Sequence, residues 1–244
     1  MNDWSSIGYN PGSLEDFKKL ASMVHARGER IKVPGGFYIK YTDGSGAELW
    51  AQADERGELC GMHPHFDCRT SMNVSVERAI QRQGFDGSFM CFAEPRMYKD
   101  SYSFVFDLPD FRAHSHITLP FETEVSIAAF AQQIDLFDND DELNKSRYGK
   151  FARESYIASG LIFPDGRAKN PPEASAIVSG TVEAFEERMN SHSGRPFLWM
   201  RVKSLLGAMD VVCDPAGIKK RPCAGGIVCG SFWLSGRCRE VSAH

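Results

Sequence analysis

Residues 60–68 read CGMHPHFDC, two cysteines around two histidines. Cys60, His63, His65 and Cys68 are all donor types that zinc takes in a tetrahedral array. Four ligands within nine residues would need a tight wrap, and Pro64 limits the backbone available for it. A two-piece site is easier to build. On a strand, His63 and His65 project to one face, and a second pair, His114-Ser-His116, stands about fifty residues on, after a predicted strand. Four imidazoles, with Glu48, Asp67 or Asp110 adding a carboxylate, would suit a divalent metal such as zinc, iron, nickel or copper. The plainer reading has His63 and His65 stiffen a turn through hydrogen bonds to backbone. Cys60 and Cys68 are then small apolar fillers, and Arg112–His116 is a solvated loop. The plainer reading is favoured, so no cofactor is expected, with a divalent metal as the alternative.

A second group of chemistry-bearing residues lies near the C-terminus. In Arg195-Pro-Phe-Leu-Trp-Met-Arg-Val-Lys203, period two puts Leu198, Met200 and Val202 on one face and Phe197, Trp199, Arg201 and Lys203 on the other. In Gly230–Arg237 the same period groups Phe232 with Leu234 and Trp233 with Arg237. Aromatic platforms beside cations suit stacking against single-stranded nucleic acid. They equally suit burial under arginine and lysine stems against another part of the chain, which is the expectation for Trp199. Among nucleophile and phosphate motifs, G-x-S-x-G, the P-loop, a G-x-G-x-x-G after a strand and H-E-x-x-H are all missing from the sequence, so no catalytic residue is identified.

The elements that must position these residues follow from composition and pattern. The 244 residues are 42% hydrophobic and 25% charged, with a formal charge of −4. These are ordinary values for a chain with a real core, and they give no global case for nucleic acid or membranes. The charge is split: residues 175–244 carry a net +3 and residues 1–174 a net −7. No run of about 18 apolar residues and no apolar leader is visible. A cytoplasmic chain with its seven cysteines reduced is therefore expected.

Ser13-Leu-Glu-Asp16 is a capping box, and Leu14, Phe17, Leu20, Ala21 and Val24 share one face before Gly28, which predicts a helix over 14–27. Two alternating runs around Asp43-Gly-Ser-Gly46 predict a hairpin. Further strands are predicted at Met72–Ala79, Ser88–Ala93, Tyr102–Asp107 and Phe121–Phe137, the last long enough to bend or bulge. The acidic cluster Asp138–Glu142 suits the start of a helix running to about Arg153. It is not an EF-hand, because the sixth loop position is not glycine and the twelfth is Gly149. Arg167–Glu173, with two prolines, reads as a linker, and no internal repeat is visible.

Residues 5–53, ordered as short strand, helix, strand and hairpin, resemble one βαβββ module of the vicinal-oxygen-chelate (glyoxalase/bleomycin-resistance) superfamily. The local match is Asp43-Gly-Ser-Gly46-Ala-Glu48-Leu49, in which Glu48 takes the place of that family's metal-binding glutamate. The turn lacks the family's proline, and no second module follows, although metal sites in that superfamily draw ligands from two. Residues 175–239, with runs at Ala176–Phe185, Pro196–Lys203, Met209–Cys213 and Ile227–Leu234 punctuated by glycines, resemble an OB-fold.

The expectation is thus a β-dominated α+β chain with an N-terminal mixed body (1–166), a linker (167–174) and a C-terminal OB-like small barrel (175–244). The leading functional reading is a binding or interaction protein with a protein or small-molecule partner and no membrane association. The alternatives are a metal-dependent enzyme built on His63, His65, His114, His116 and Glu48, and a nucleic-acid binder using Phe197, Trp199, Arg201, Lys203, Trp233 and Arg237.

Overall fold

The computed structural model describes residues 2–84, 86–93, 102–162 and 171–239. Helix α1 (Leu14–Arg27) forms as its pattern predicts. The Ser13 side chain accepts from Asp16 N at 3.1 Å, and Leu20, Ala21 and Val24 are buried. Strands β1 (Glu29–Val33), β2 (Gly36–Thr42), β3 (Ala47–Asp54) and β4 (Leu59–Phe66) follow as a four-stranded antiparallel meander in chain order. CGMHPHFDC is therefore mostly strand, not turn. Pro64 is tolerated because β4 is an edge strand, where its missing N–H breaks no ladder. Residues 5–7, read as a strand, form a 3-10 turn.

The second sheet has nine strands: β5 (Met72–Gln81), β6 (Gly87–Ala93), β7 (Ser103–Asp107), β8 (Phe121–Phe137), β9 (Ser155–Ile157), β10 (Ser175–Met189), β11 (Pro196–Ser204), β12 (Gly207–Cys213) and β13 (Ile227–Cys238). Between β8 and β9 lies the short helix α2 (Asp140–Lys145). It stops well before Arg153, because Ser146 is extended and its hydroxyl donates to Leu143 O.

Two long strands organise this sheet. β8 pairs with β5, β12 and β13, and β13 pairs with β7, β8 and β10. The sheet corrects the expected C-terminal barrel. β12 and β13 are not paired with each other; β8, from the N-terminal half, lies between them. The nine strands form one continuous sheet in which the two segments interleave, not an N-terminal body plus a closed C-terminal barrel. No glyoxalase-type barrel is formed either: the first element of that resemblance is a 3-10 turn, and Glu48 is committed to Lys40. The 167–170 part of the predicted linker lies outside the described residues. Its remainder is tied down, with Arg82 Nη2 donating to Pro172 O at 2.8 Å.

A repeat invisible in the sequence emerges from the pairing. β5-β6-β7 and β10-β11-β12 are both antiparallel meanders, each followed by a 3-10 turn (Phe111–His114; Pro215–Gly217) and a long strand. Each long strand crosses to the other meander: β8 lies parallel to β12 at Asp210↔Ala128, and β13 lies parallel to β7 at Ser235↔Asp107. The centre is the antiparallel pair Ala128↔Ser235. Asp107 and Asp210 are therefore equivalent positions, and each accepts an indole N–H, from Trp233 at 2.7 Å and from Trp199 at 2.6 Å. The long strands approach closely at Gly230, where a Cβ would stand 2.0 Å from Gln133 O. The main core comprises Val74, Phe104, Phe106, Ile127, Leu198, Met200, Val202, Phe232, Leu234 and their neighbours.

Candidate functional site

The two sheets meet across a polar seam. In β3 the odd positions Ala47, Leu49, Ala51 and Ala53 join the core that includes α1. The even positions Glu48, Trp50 and Gln52 face the other way, with His63 and His65 opposite Trp50 and Glu48 on β4. Trp233, Ser235 and Arg237 of β13 meet them. His65 Nδ1 lies 2.8 Å from Ser235 Oγ, and the Arg237 guanidinium stacks 5.0 Å from the Trp50 ring. Glu48 is buried, held by Lys40 Nζ at 2.6 Å, Thr42 Oγ1 at 3.1 Å and Trp50 Nε1 at 2.9 Å. Burial works against its charge, but the His65 ring, the Lys40 ammonium and the Trp50 indole outweigh it and hold the carboxyl below its usual range.

Glu48, His65 and Ser235 have the types of an acid–base–nucleophile set, but not its chemistry. Burial drives the His65 imidazole down to about 4, against the pull of Glu48, which makes it a weak base. Ser235 is only 2% exposed. The seam is a hydrogen-bonded weld between sheets.

The two seam histidines should leave opposite marks on stability. His65 titrates lower in the folded chain than the ordinary 6.5, so its contribution is full above pH 6.5 and fades as pH falls towards 4. A shift of this size is worth on the order of 3 kcal/mol. For His63, burial lowers the pKa, but Asp86, 3.0 Å away, and Asp107 reverse the effect and raise it. Its contribution is present below pH 6.5 and fades as pH rises through the raised value. Urea denaturation across pH 4–9 should show the acid limb flattened in His65→Gln and the alkaline limb flattened in His63→Gln. An NMR titration of His65 near pH 6.5 would contradict this assignment.

The predicted metal ligands do not converge. His63 faces Asp86 in a small cleft with Arg82, Asp107 and Trp233, and His65 faces Ser235. His114 sits 3.3 Å from Asp110, and His116 lies beyond it. Among the described residues no group of three His, Cys, Asp or Glu side chains could hold a metal ion, which disfavours the metal-site alternative. The aromatic platform is also not open. Phe197 is buried against Phe66, and Trp199 is 6% exposed under Arg69 and Arg188. Arg201 and Lys203 are exposed and paired with Glu183 and Glu154.

Three of the residues singled out do meet. His114, His116 and Arg237 line one cleft of about 580 Å³, open to solvent, at the end of the seam. Its walls are Ile31, Ile117, Phe121 and the edge of Trp50, and its rim adds Arg239 and Glu122. The 3-10 turn that carries His114 is pinned from both sides. Phe111 packs on Phe89 at 5.9 Å, while Arg112 N donates to Tyr38 Oη at 3.0 Å. At the base, Asp110 accepts from Arg237 Nε at a long 3.4 Å. Burial opposes ionisation of Asp110, but His114, Arg237 and His65 outweigh it and hold its carboxyl below the usual range.

Trp50 and Ser235 are seam residues that no sequence motif marks. The available signal was the β3 pattern itself, whose even positions are polar or amphipathic while the odd ones are all apolar. No protein-family model, curated protein or solved structure matches the chain.

Proposed function

We propose that the protein is a cytoplasmic binding protein whose ligand is a small molecule with a flat apolar body and an acidic group, held in the Arg237 cleft. The observation that carries this reading is the lining: an apolar wall of Ile31, Ile117 and Phe121 beside two guanidinium groups, Arg237 and Arg239. A concave, largely apolar site with a few convergent polar groups suits a small-molecule ligand. Arg237 is pre-positioned, because its place over the Trp50 ring and its Nε contact with Asp110 fix its plane, leaving the two Nη groups for a planar acid. Binding through arginine needs no metal. The seven free thiols fit a reducing compartment, and no helix among the described residues is long and apolar enough to cross a membrane.

Calorimetry with 2-naphthoate and its neutral isostere 2-naphthamide tests this. At about 0.3 kcal/mol per heavy atom, a ligand of about 13 heavy atoms binds at about 1 mM, and a well-fitted one more tightly. The acid should bind at least tenfold more tightly than the amide, and Arg239→Gln, at an exposed position, should weaken only the acid. Equal binding of both compounds, or of neither, would reject the reading.

A further inference from the structure

A second surface lies away from this cleft, on the outer half of β10. Residues 175–181 of β10 pair with β13, but Ala184–Met189 pair only with β11 among the described residues. Asn190 N donates to Arg195 O at 3.0 Å, so Asn190 and Arg195 are a hydrogen-bonded pair. Counting back along the antiparallel register, Met189, Glu187 and Phe185 stand at non-bonded positions. Their N–H and C=O groups point away from β11, along a free edge. Their side chains share one face with Leu198, and Phe185 and Met189 are 45% and 57% exposed.

That face is not bare. The loop after β12 runs beside it, and the groove between is lined by Phe185, Leu198, Pro215, Ile218 and Pro222. Lys219, Lys220 and Arg221 also line it, against the single acid Glu187. Lys220 is engaged by Asp138 and Glu142, while Arg221 is almost fully exposed and meets Glu187 only at 3.9 Å. An edge strand whose backbone is unpaired among the described residues, with exposed apolar side chains and with Lys219 and Arg221 against Glu187 alone, is an unfinished ladder.

We infer that this edge docks an extended, acidic segment of a partner protein, which adds a strand to β10. Backbone groups of Phe185, Glu187 and Met189 supply the ladder. Alternate side chains of the partner enter the groove, an apolar one against Phe185, Leu198 and Ile218 and acidic ones against Lys219 and Arg221. The charges on the other face of β10 are already used: Glu186 pairs with Arg188. Glu183, at the irregularity between Val182 and Ala184, pairs with Arg201.

The test uses the full chain and a fluorescently labelled heptapeptide with Glu, Val and Glu at its even positions and Thr at its odd ones. Three forms are compared: the parent, an all-lysine replacement of the glutamates, and the parent N-methylated at alternate residues. The parent should bind saturably. Affinity should fall at least tenfold with either altered peptide and in the double variant Lys219→Glu, Arg221→Glu, whose thermal melt should match wild type. It should be unchanged in Arg239→Gln, which separates this surface from the small-molecule cleft. No saturable binding of the parent, or binding that survives charge reversal or N-methylation, overturns the proposal. A concentration-dependent dimer that the double variant leaves intact, with no peptide binding, would assign the edge to a second copy of the chain and overturn it as well.

Discussion

A fragment carrying residues 175–244 alone is expected to be unfolded, with a coil-like circular dichroism spectrum and collapsed amide dispersion. The reason lies in the exchanged strands. Without β8, β13 loses the partner that runs along its whole length, from Ile227↔Phe137 to Cys238↔Val125, and keeps only β10 beside Ile227–Trp233, while β12 loses the parallel seam at Asp210–Val212. Ile127, Ala129 and Ala131 of β8 lie in the same core cluster as Leu198, Met200, Val202 and Phe232, so the fragment would also open its core to water. A segment of about 70 residues has little margin for such a loss. Mixing the fragment with residues 1–166 should recover native-like dispersion, since the complement supplies β8. A cooperative melt from the isolated fragment would refute strand exchange as the basis of the fold.

Trp199→Ala should lower stability by about 3–5 kcal/mol, the range for large aromatic truncations in a core. Its ring fills the junction where Phe66 and Phe197 meet beneath the Arg188 guanidinium, 4.7 Å away. Its N–H is one of four donors on the buried Asp210 carboxylate, with Arg69 N, Thr70 N and Thr70 Oγ1 at 2.6–3.0 Å. Those contacts bind the segment after β4 to β12. Trp199→Phe keeps the six-membered ring but loses the indole N–H and two ring carbons, so it should cost at least as much as a hydrogen bond to a charged group, about 1.5–3 kcal/mol. Urea denaturation with unchanged m-values measures both. A loss below about 1 kcal/mol for Trp199→Ala would mean that the junction repacks.

What the sequence revealed depended on how local the cause was. α1 was legible to the residue because its cap and apolar stripe lie within the helix itself. β8 was legible because seventeen residues of strand pattern leave no other element, and its need to bend is met by the irregularity opposite Ser231 and Phe232. The exchange of β8 and β13 was not legible. Nothing in either strand's own residues records which meander it will cross to, and the two halves share topology without sharing side chains. CGMHPHFDC misled for a similar reason. Two histidines at period two suit a metal, a turn or a strand equally, and what decided was Asp86 and Ser235, distant in the chain. Period two did place Arg237 and Trp233 on one face, but the partners of that face, Trp50 and Asp107, come from other strands.

The most direct measurement is an NMR titration of the full chain with 2-naphthoate, following the Trp50 indole N–H, the Arg237 Nε–H and the ring protons of His114 and His116. Saturating shifts are expected at these groups with a common dissociation constant, and no movement of Phe185 or Met189 on the β10 edge. Shifts that fail to saturate, or that gather anywhere other than the Arg237 cleft, would contradict the proposed function.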